Sequence, residues 1–173
     1  MGKKVIRFGL SLRDIDQAAR ELEQYKQDII RKTDLLRERV AERLAELSRD
    51  GFAGAVVDDL LKGGQCTAQV DVSIDQRDNV TLVIARGEDA VLVEFGAGVH
   101  YNGSAGTSPH PKGSELGFTI GGYGKGMGKK DVWGFYEDGE LRLTHGAPAT
   151  MPMYNAVKTV CDEIAEIARE AFQ

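Results

Sequence analysis

The sequence is poor in residues that cross-link a chain or anchor it in a membrane. Its 173 residues include two cysteines, four prolines and one tryptophan. Cys66 and Cys161 stand far apart, so we expect apolar thiols, and neither a disulfide nor a metal-binding pair. No apolar run reaches the length that crosses a bilayer. The apolar stretch among the first residues is too short for a secretory signal. These absences predict a protein that is cytoplasmic when made and has no membrane partner.

A strongly basic surface is also absent. The formal net charge of -5 argues against a surface whose main task is to neutralise nucleic-acid phosphates. Up to Asp50 the basic residues slightly outnumber the acidic ones, and the acidic excess lies in the remainder. Such asymmetry permits head-to-tail contacts between copies of the chain. The length fits one domain, residues 1–173.

Apolar side chains recur every three or four residues from 14 to 49, which places them on one stripe of an amphipathic helix. The stripe consists of Ile15, Ala19, Leu22, Ile29, Thr33, Leu36, Val40, Leu44 and Leu47. A helix of about 35 residues is about 50 Å long, which exceeds what a domain of this size covers by itself. We therefore expect part of the stripe, including Leu22, Ile29 and Leu36, to contact a neighbouring subunit. The alternative is a helix broken near Thr33 and Asp34, with both halves packed on the chain's own sheet.

The residues after this helix predict a small antiparallel sheet. Gly51 is expected to end the helix, and residues 52–62 to add a short one. Alternation of apolar and polar residues predicts a strand over 66–74, and a run that is apolar on both faces predicts a more central strand over 80–85. These two strands should form a hairpin. For residues 90–95 the pattern fits either a third strand or a helical turn.

The last third of the chain predicts a hairpin followed by a helix. Asp138 and Gly139 favour a tight turn between strands 131–136 and 140–144. A helix is expected from Pro152 to about Phe172, because the missing N–H of proline is harmless in a first turn. Its predicted apolar stripe is Met153, Val157, Val160, Ile164 and Ile167. The sequence therefore predicts an α+β fold in which a long N-terminal helix and a C-terminal helix pack on a small antiparallel β-sheet.

Residues 96–130 are predicted to be a long loop, in which eleven residues are glycine. Ordering it would cost backbone entropy that little apolar burial offsets, so we expect residues 98–130 to be flexible, or ordered only by a partner. Its aromatic and cationic side chains are candidate contacts for a protein neighbour, or for transient contact with DNA. These candidates are Tyr101, His110, Lys112, Tyr123, Lys125, Lys129 and Lys130.

No residue set has the spacing of a catalytic, cofactor or metal site. His100, His110 and His145 lack the i, i+4 spacing that places two imidazoles on one helix face. Residues 121–130 are rich in glycine and lysine but are followed by a strand, whereas a phosphate loop leads into a helix. Glu94 has no nucleophile at a fixed spacing, and we expect it to be a hydrogen-bonding partner at the end of a strand or helix. The sequence predicts no enzyme activity, no cofactor and no bound metal.

Three sequence blocks after the long helix occur in a distinctive order. They read Val93-Glu94-Phe95-Gly96-Ala97-Gly98, then Trp133-Gly134-Phe135-Tyr136-Glu137-Asp138-Gly139, and then Thr144-His145-Gly146-Ala147-Pro148-Ala149-Thr150-Met151-Pro152-Met153. This order resembles the tail-completion or head-tail joining proteins of long-tailed double-stranded DNA phages, which carry "VE(F/Y)GTG", an aromatic-rich "DG" hairpin and "HG.PA.PFM..A". Ala97 departs from the threonine usual in that family, and Met151-Pro152-Met153 replaces its Pro-Phe-Met.

The resemblance implies a non-enzymatic virion component, made in the cytoplasm of an infected or lysogenic bacterium. Such a component caps the tail tube or joins it to the head connector as a ring, for which a hexamer is one candidate. The implied partners are further copies of the chain, the head connector or adaptor, and the tail tube or terminator proteins. A tail terminator or a minor capsid protein is the alternative within virion assembly. A nucleic-acid-binding regulator is the alternative from another class.

Overall fold

The computed structural model describes residues 5–59, 64–98, 100–101, 104–105, 108–116, 133–137, 139–144 and 146–173. The predicted α+β class is confirmed. The helices are α1 Leu12–Ala53, α2 Ala90–Phe95 and α3 Pro152–Ala171. The strands form antiparallel pairs: β1 Val56–Asp59 with β2 Gly64–Thr67, β3 Asp71–Arg77 with β4 Val80–Arg86, β5 Ala97–Gly98 with β10 Gly146–Ala147, β6 His100–Tyr101 with β7 Ser104–Ala105, and β8 Trp133–Glu137 with β9 Glu140–Thr144.

The long helix is continuous over 42 residues. Ser11 caps its start, because the Ser11 Oγ accepts a hydrogen bond from the backbone N–H of Asp14 at 3.2 Å. The prediction of one long helix is confirmed, and the alternative with a break near Thr33 is wrong. The expectation that Gly51 ends the helix is also wrong, since α1 continues past it and Gly54 is the C-cap.

Gly51 lies inside α1 because the start of α3 packs closely against it. A Cβ atom at position 51 would lie 2.9 Å from the Cβ atom and 3.3 Å from the Cα atom of Pro152. Only a residue without a side chain allows this approach of the two helices. The glycine therefore serves helix packing and not helix termination.

Gly51→Ala is expected to lower the free energy of unfolding by about 1 kcal/mol, although alanine is the better helix former. The gain in helix propensity is about 1 kcal/mol, whereas overpacking against Pro152 costs roughly 1–3 kcal/mol. Gly54→Ala is the matched control, because a Cβ atom there meets only the Asp50 carbonyl oxygen at 3.9 Å. Urea titration of both variants measures the difference. Equal free energies of unfolding for the Gly51→Ala and Gly54→Ala variants would show that the contact between α1 and α3 adjusts to the added methyl group without cost.

The chain between α1 and β3 departs from the expectation. Residues 56–59 form β1 instead of continuing a short helix, and the strand predicted over 66–74 is divided between β2 and β3. The division falls at Ala68, whose backbone N–H donates to the Ala55 carbonyl oxygen at 3.1 Å. This bond holds the chain to the end of α1. As a result β2 pairs with β1, and β3 pairs with β4.

The hairpin of β3 and β4 is confirmed, with Arg77 opposite Val80. The expected central position of β4 is wrong for the described part of the chain, in which β4 pairs with β3 alone. The hairpin packs against α1, and the side chains of residues 81–85 are half-buried. Arg37 of α1 donates from Nη1 to the Asp78 carbonyl oxygen at 3.0 Å, which fixes the turn of the hairpin to the helix.

The structure also resolves the predictions for residues 131–144 and 90–95. The hairpin of β8 and β9 is confirmed, and Gly139 has φ of 82°, the left-handed conformation that a tight hairpin turn requires. Asp138 lies outside the described residues. Residues 90–95, for which the sequence left strand and helix open, form α2.

The core lies where the C-terminal half of α1 meets α2 and the first two strand pairs. Its buried side chains are Ala45, Phe52, Ala55, Ala68, Val72 and Val93. The helix α3 packs along α1 and buries Pro152, Ala156, Val160 and Ala171. The predicted stripe of α3 is therefore right at Val160, but wrong at Val157 and Ile164, which are exposed. Small side chains allow the two helices to approach closely, so the larger ones flank the contact.

Ion pairs and a hydrogen bond show that α3 runs antiparallel to α1. The Arg43 guanidinium donates to both carboxylate oxygens of Glu163, at 2.9 and 3.0 Å. Hydrogen bonds from Arg43 hold the pKa of the Glu163 carboxyl below its usual value. Towards the N-terminus of α1, Lys32 Nζ donates to the Phe172 carbonyl oxygen at 3.3 Å. The end of α3 therefore lies level with Lys32.

Candidate functional site

Glu94 on α2 caps the start of α3. Its Oε2 accepts a hydrogen bond from the backbone N–H of Met153 at 2.8 Å, and its Oε1 accepts one from Tyr154 at 2.9 Å. The N-cap residue itself, Met151, makes no side-chain capping bond and has a left-handed φ of 55°. The buried carboxylate thus satisfies backbone donors that the local sequence leaves open, and its negative charge suits a helix N-terminus. The expectation that Glu94 is a hydrogen-bonding partner at a helix end is confirmed.

His110 completes this capping centre. Its Nε2 lies 3.3 Å from Glu94 Oε1, and its Nδ1 accepts a hydrogen bond from the backbone N–H of Lys112 at 3.0 Å. Since Nδ1 is an acceptor, the proton of the neutral ring sits on Nε2, the nitrogen near the carboxylate. The ring packs 4.4 Å from Phe95 and 5.3 Å from Tyr154, measured between ring centroids. His110 is buried within the chain.

Part of the predicted loop packs against α2. Residues 108–116 form a described turn segment, and the Ser108 Oγ donates to the Phe95 carbonyl oxygen. A buried imidazole and a hydroxyl connect this segment to α2. Residues 117–130 lie outside the described residues.

The capping centre also joins two sequence blocks that are far apart in the chain. Residues 97–98 of the first block pair with residues 146–147 of the last as β5 and β10. The Val93 carbonyl oxygen accepts a hydrogen bond from the Thr150 backbone N–H at 3.0 Å. Residues 93–98 and 146–154 therefore form one packed unit around Glu94.

The polar atoms of the capping centre have partners within the chain. Both oxygens of Glu94 accept from backbone N–H groups, and both nitrogens of His110 are engaged within the chain. Among the residues that the structure describes, no three His, Cys, Asp or Glu side chains are grouped as metal ligands. The centre is organised to position α3 and segment 108–116.

The N-terminal part of α1 offers a different kind of site. Residues 12–31 extend past the level of Lys32, where α3 ends, and we call them the α1 overhang. At 1.5 Å per residue the overhang is about 30 Å long. Most of its large apolar side chains are open to solvent: Leu12 is 83% exposed, Leu22 57% and Ile30 46%, whereas Ile29 is half-buried. A shallow groove of about 630 Å³ runs along Ala19, Leu22, Tyr25, Lys26, Ile29 and Ile30.

One side of the overhang is covered by the chain itself. Residues 6–9 lie beside Asp14, Gln17, Ala18 and Glu21, and Ala18 is buried there. The neighbouring side, which carries Ile15 and Leu22, remains exposed. In the part of the chain that the structure describes, this side is the largest run of exposed apolar residues on a helix.

The structure separates the candidate contact residues into four groups. Leu22 is exposed on the overhang and Ile29 is half-buried there, whereas Leu36 is half-buried where α3 runs beside α1. Lys112 is exposed and His110 is buried. Tyr101 lies on β6. Tyr123, Lys125, Lys129 and Lys130 lie outside the described residues.

Comparison with protein-family models, curated proteins and solved structures finds no match. Among the described residues, no helix combines the length and the apolar character needed to span a membrane.

Proposed function

We propose that this protein is a structural component of phage particles that completes the tail or joins it to the head connector through protein-protein contacts, as a ring. The α1 overhang is the observation that carries the proposal. It presents apolar side chains on a preformed helix of about 30 Å, and exposed apolar patches of this kind mark interaction surfaces. Such a protein would be made in the bacterial cytoplasm and retained in the virion.

The capping centre supports the same proposal. Its buried polar groups are engaged within the chain, which favours a scaffold over a reaction site. Two of the blocks that carry the resemblance to head-tail joining proteins meet there, at β5, β10 and the start of α3. These two blocks therefore share a structural task in this chain.

The proposal predicts a specific defect in the phage or prophage that encodes the chain. An early stop codon should cause DNA-filled heads and separate, complete tails to accumulate, because the parts form but do not join. Electron microscopy of lysates measures the fraction of joined particles, and antibody labelling locates the protein at the neck. Expression of the full chain from a plasmid is the control and should restore joined particles.

Other phenotypes would contradict the proposal, each in its own way. Tails of irregular length would identify a terminator, and defective heads would identify a minor capsid protein. Normal infectious particles without the chain would exclude a role in joining. Strong, salt-dependent DNA binding by the purified protein, together with normal particles, would favour the nucleic-acid-binding regulator.

A further inference from the structure

The exposed side of the α1 overhang has the heptad pattern of a helix-pairing seam. Two core positions of a heptad alternate along it at steps of three and four residues. We call the six residues at these positions the overhang seam: Leu12, Ala19 and Lys26 at one position, and Ile15, Leu22 and Ile29 at the other. Five of the six are apolar, and Lys26 is the one charged member.

We propose that a second copy of this chain covers the overhang seam, with the two overhangs packed antiparallel about a two-fold axis. In this register Leu12 of each copy faces Ile29 of the other copy, and Ala19 faces Leu22. The same patch serves on both copies, so the interface is isologous and closes at two chains. The pairing concerns the free protein, and it does not rest on the proposed function.

The sizes of the side chains favour this orientation. In an antiparallel pair the two core positions face each other, so the small Ala19 lies opposite the large Leu22 in each of the two central layers. A parallel pair in register would instead place Ala19 against Ala19 and leave a void between the helices. Voids of this kind destabilise packed interfaces.

The charges favour the same orientation. A parallel pair would bring the two Lys26 ammonium groups together at the seam, where they repel each other. In the antiparallel pair Lys26 lies opposite Ile15 and beside Asp16 of the other copy, which gives two symmetric ion pairs. A single lysine at a core position is a known means of specifying how helices pair.

Lys26 is free to change its partner. Within one chain its Nζ lies 3.5 Å from Glu23, and both side chains are more than half exposed, at 64% and 58%. Exposed pairs at this spacing contribute little, so an exchange for Asp16 of the other copy costs little. Asp16 is itself exposed on the overhang.

The helix is formed before the two copies meet. The C-terminal half of α1 is held by the core and by α3, so the overhang extends an existing helix and avoids the cost of nucleation. Preorganisation of this kind lowers the entropy lost on association. A short seam can therefore pair measurably, although an isolated peptide of the same sequence would be a marginal helix.

Charge reversal and mixing test the proposal with full-length protein. Lys26→Asp and Asp16→Lys should each weaken self-association at least about tenfold in sedimentation equilibrium, because each creates two like-charged pairs. An equimolar mixture of the two variants should regain wild-type affinity, since both ion pairs re-form in the mixed dimer. Leu116→Asp is the control, because Leu116 is 54% exposed and does not belong to the overhang seam. It should leave association unchanged.

Cysteine cross-linking tests the orientation. In a chain with Cys66→Ser and Cys161→Ser, a mixture of Leu12→Cys and Ile29→Cys variants should form a disulfide between the two species. Disulfides that form only within each variant would show a parallel contact and overturn the proposal. A wild-type chain that stays monomeric at all concentrations would also overturn it, and would show that another segment or another protein covers the seam. Normal pairing in a chain that proves dispensable for joining would leave this inference intact and reject the proposed function.

Discussion

Glu94→Ala is expected to lower the free energy of unfolding by about 3 kcal/mol. Hydrogen bonds to a charged group contribute about 1.5–3 kcal/mol each, and a buried donor that loses its partner adds a desolvation cost. The substitution leaves the backbone N–H groups of Met153 and Tyr154 without their acceptor. It also removes the carboxylate that His110 Nε2 faces at 3.3 Å. Urea denaturation followed by circular dichroism measures the loss.

Two other variants make this prediction specific. Glu94→Gln keeps one acceptor oxygen but turns an NH₂ group toward a backbone donor, so its loss should fall between those of alanine and wild type. Glu166→Ala is the matched control, because Glu166 is an exposed glutamate on α3. It should change stability by less than about 0.5 kcal/mol. A loss below about 1 kcal/mol for Glu94→Ala would show that water replaces the carboxylate at the helix end.

The elements that could be predicted are those specified by neighbouring residues. The periodicity of α1, the hairpin of β3 and β4, and the turn at Gly139 follow from side chains a few positions apart. The role of Glu94 could be predicted in kind, because no nucleophile stands at a fixed spacing from it. What the sequence did not indicate was its partner helix, which begins almost sixty residues later along the chain.

The errors arise where a distant contact decides the structure. Gly51 has the sequence pattern of a helix terminator, yet Pro152 sets its role. The strand over 66–74 appears continuous until Ala68 bonds to Ala55. The burial of His110 could not be predicted from its glycine-rich stretch, because its ring packs against Phe95 of α2 and Tyr154 of α3.

The α1 overhang was also predicted only in part, because a distant contact decides where it begins. Periodicity indicated a helix longer than its own domain could cover, and it indicated Leu22 and Ile29 as contact residues. Periodicity could not indicate how much of α1 is covered by the rest of the chain, because this depends on α3 ending level with Lys32. Hence Leu36, which belongs to the same stripe, is half-buried under the chain's own fold.

Phe52→Ala is expected to lower the free energy of unfolding by about 3–5 kcal/mol, the range for removal of a buried phenylalanine. The side chain is 2% exposed and packs in the cluster that joins the end of α1 to the strands. Leu22→Ala on the same helix is the matched control. Leu22 is 57% exposed, so at a concentration where the chain is monomeric its loss should stay below about 0.5 kcal/mol.

The contrast between these two substitutions tests whether α1 has two separate tasks. If Phe52 anchors the helix and the overhang serves only contacts with other molecules, the stability loss falls on Phe52 and the association defect falls on the overhang. A loss of more than about 2 kcal/mol for Leu22→Ala would show instead that the chain's own residues cover Leu22 in solution. The overhang would then belong to the core, and the apolar surface on which both proposals depend would not exist.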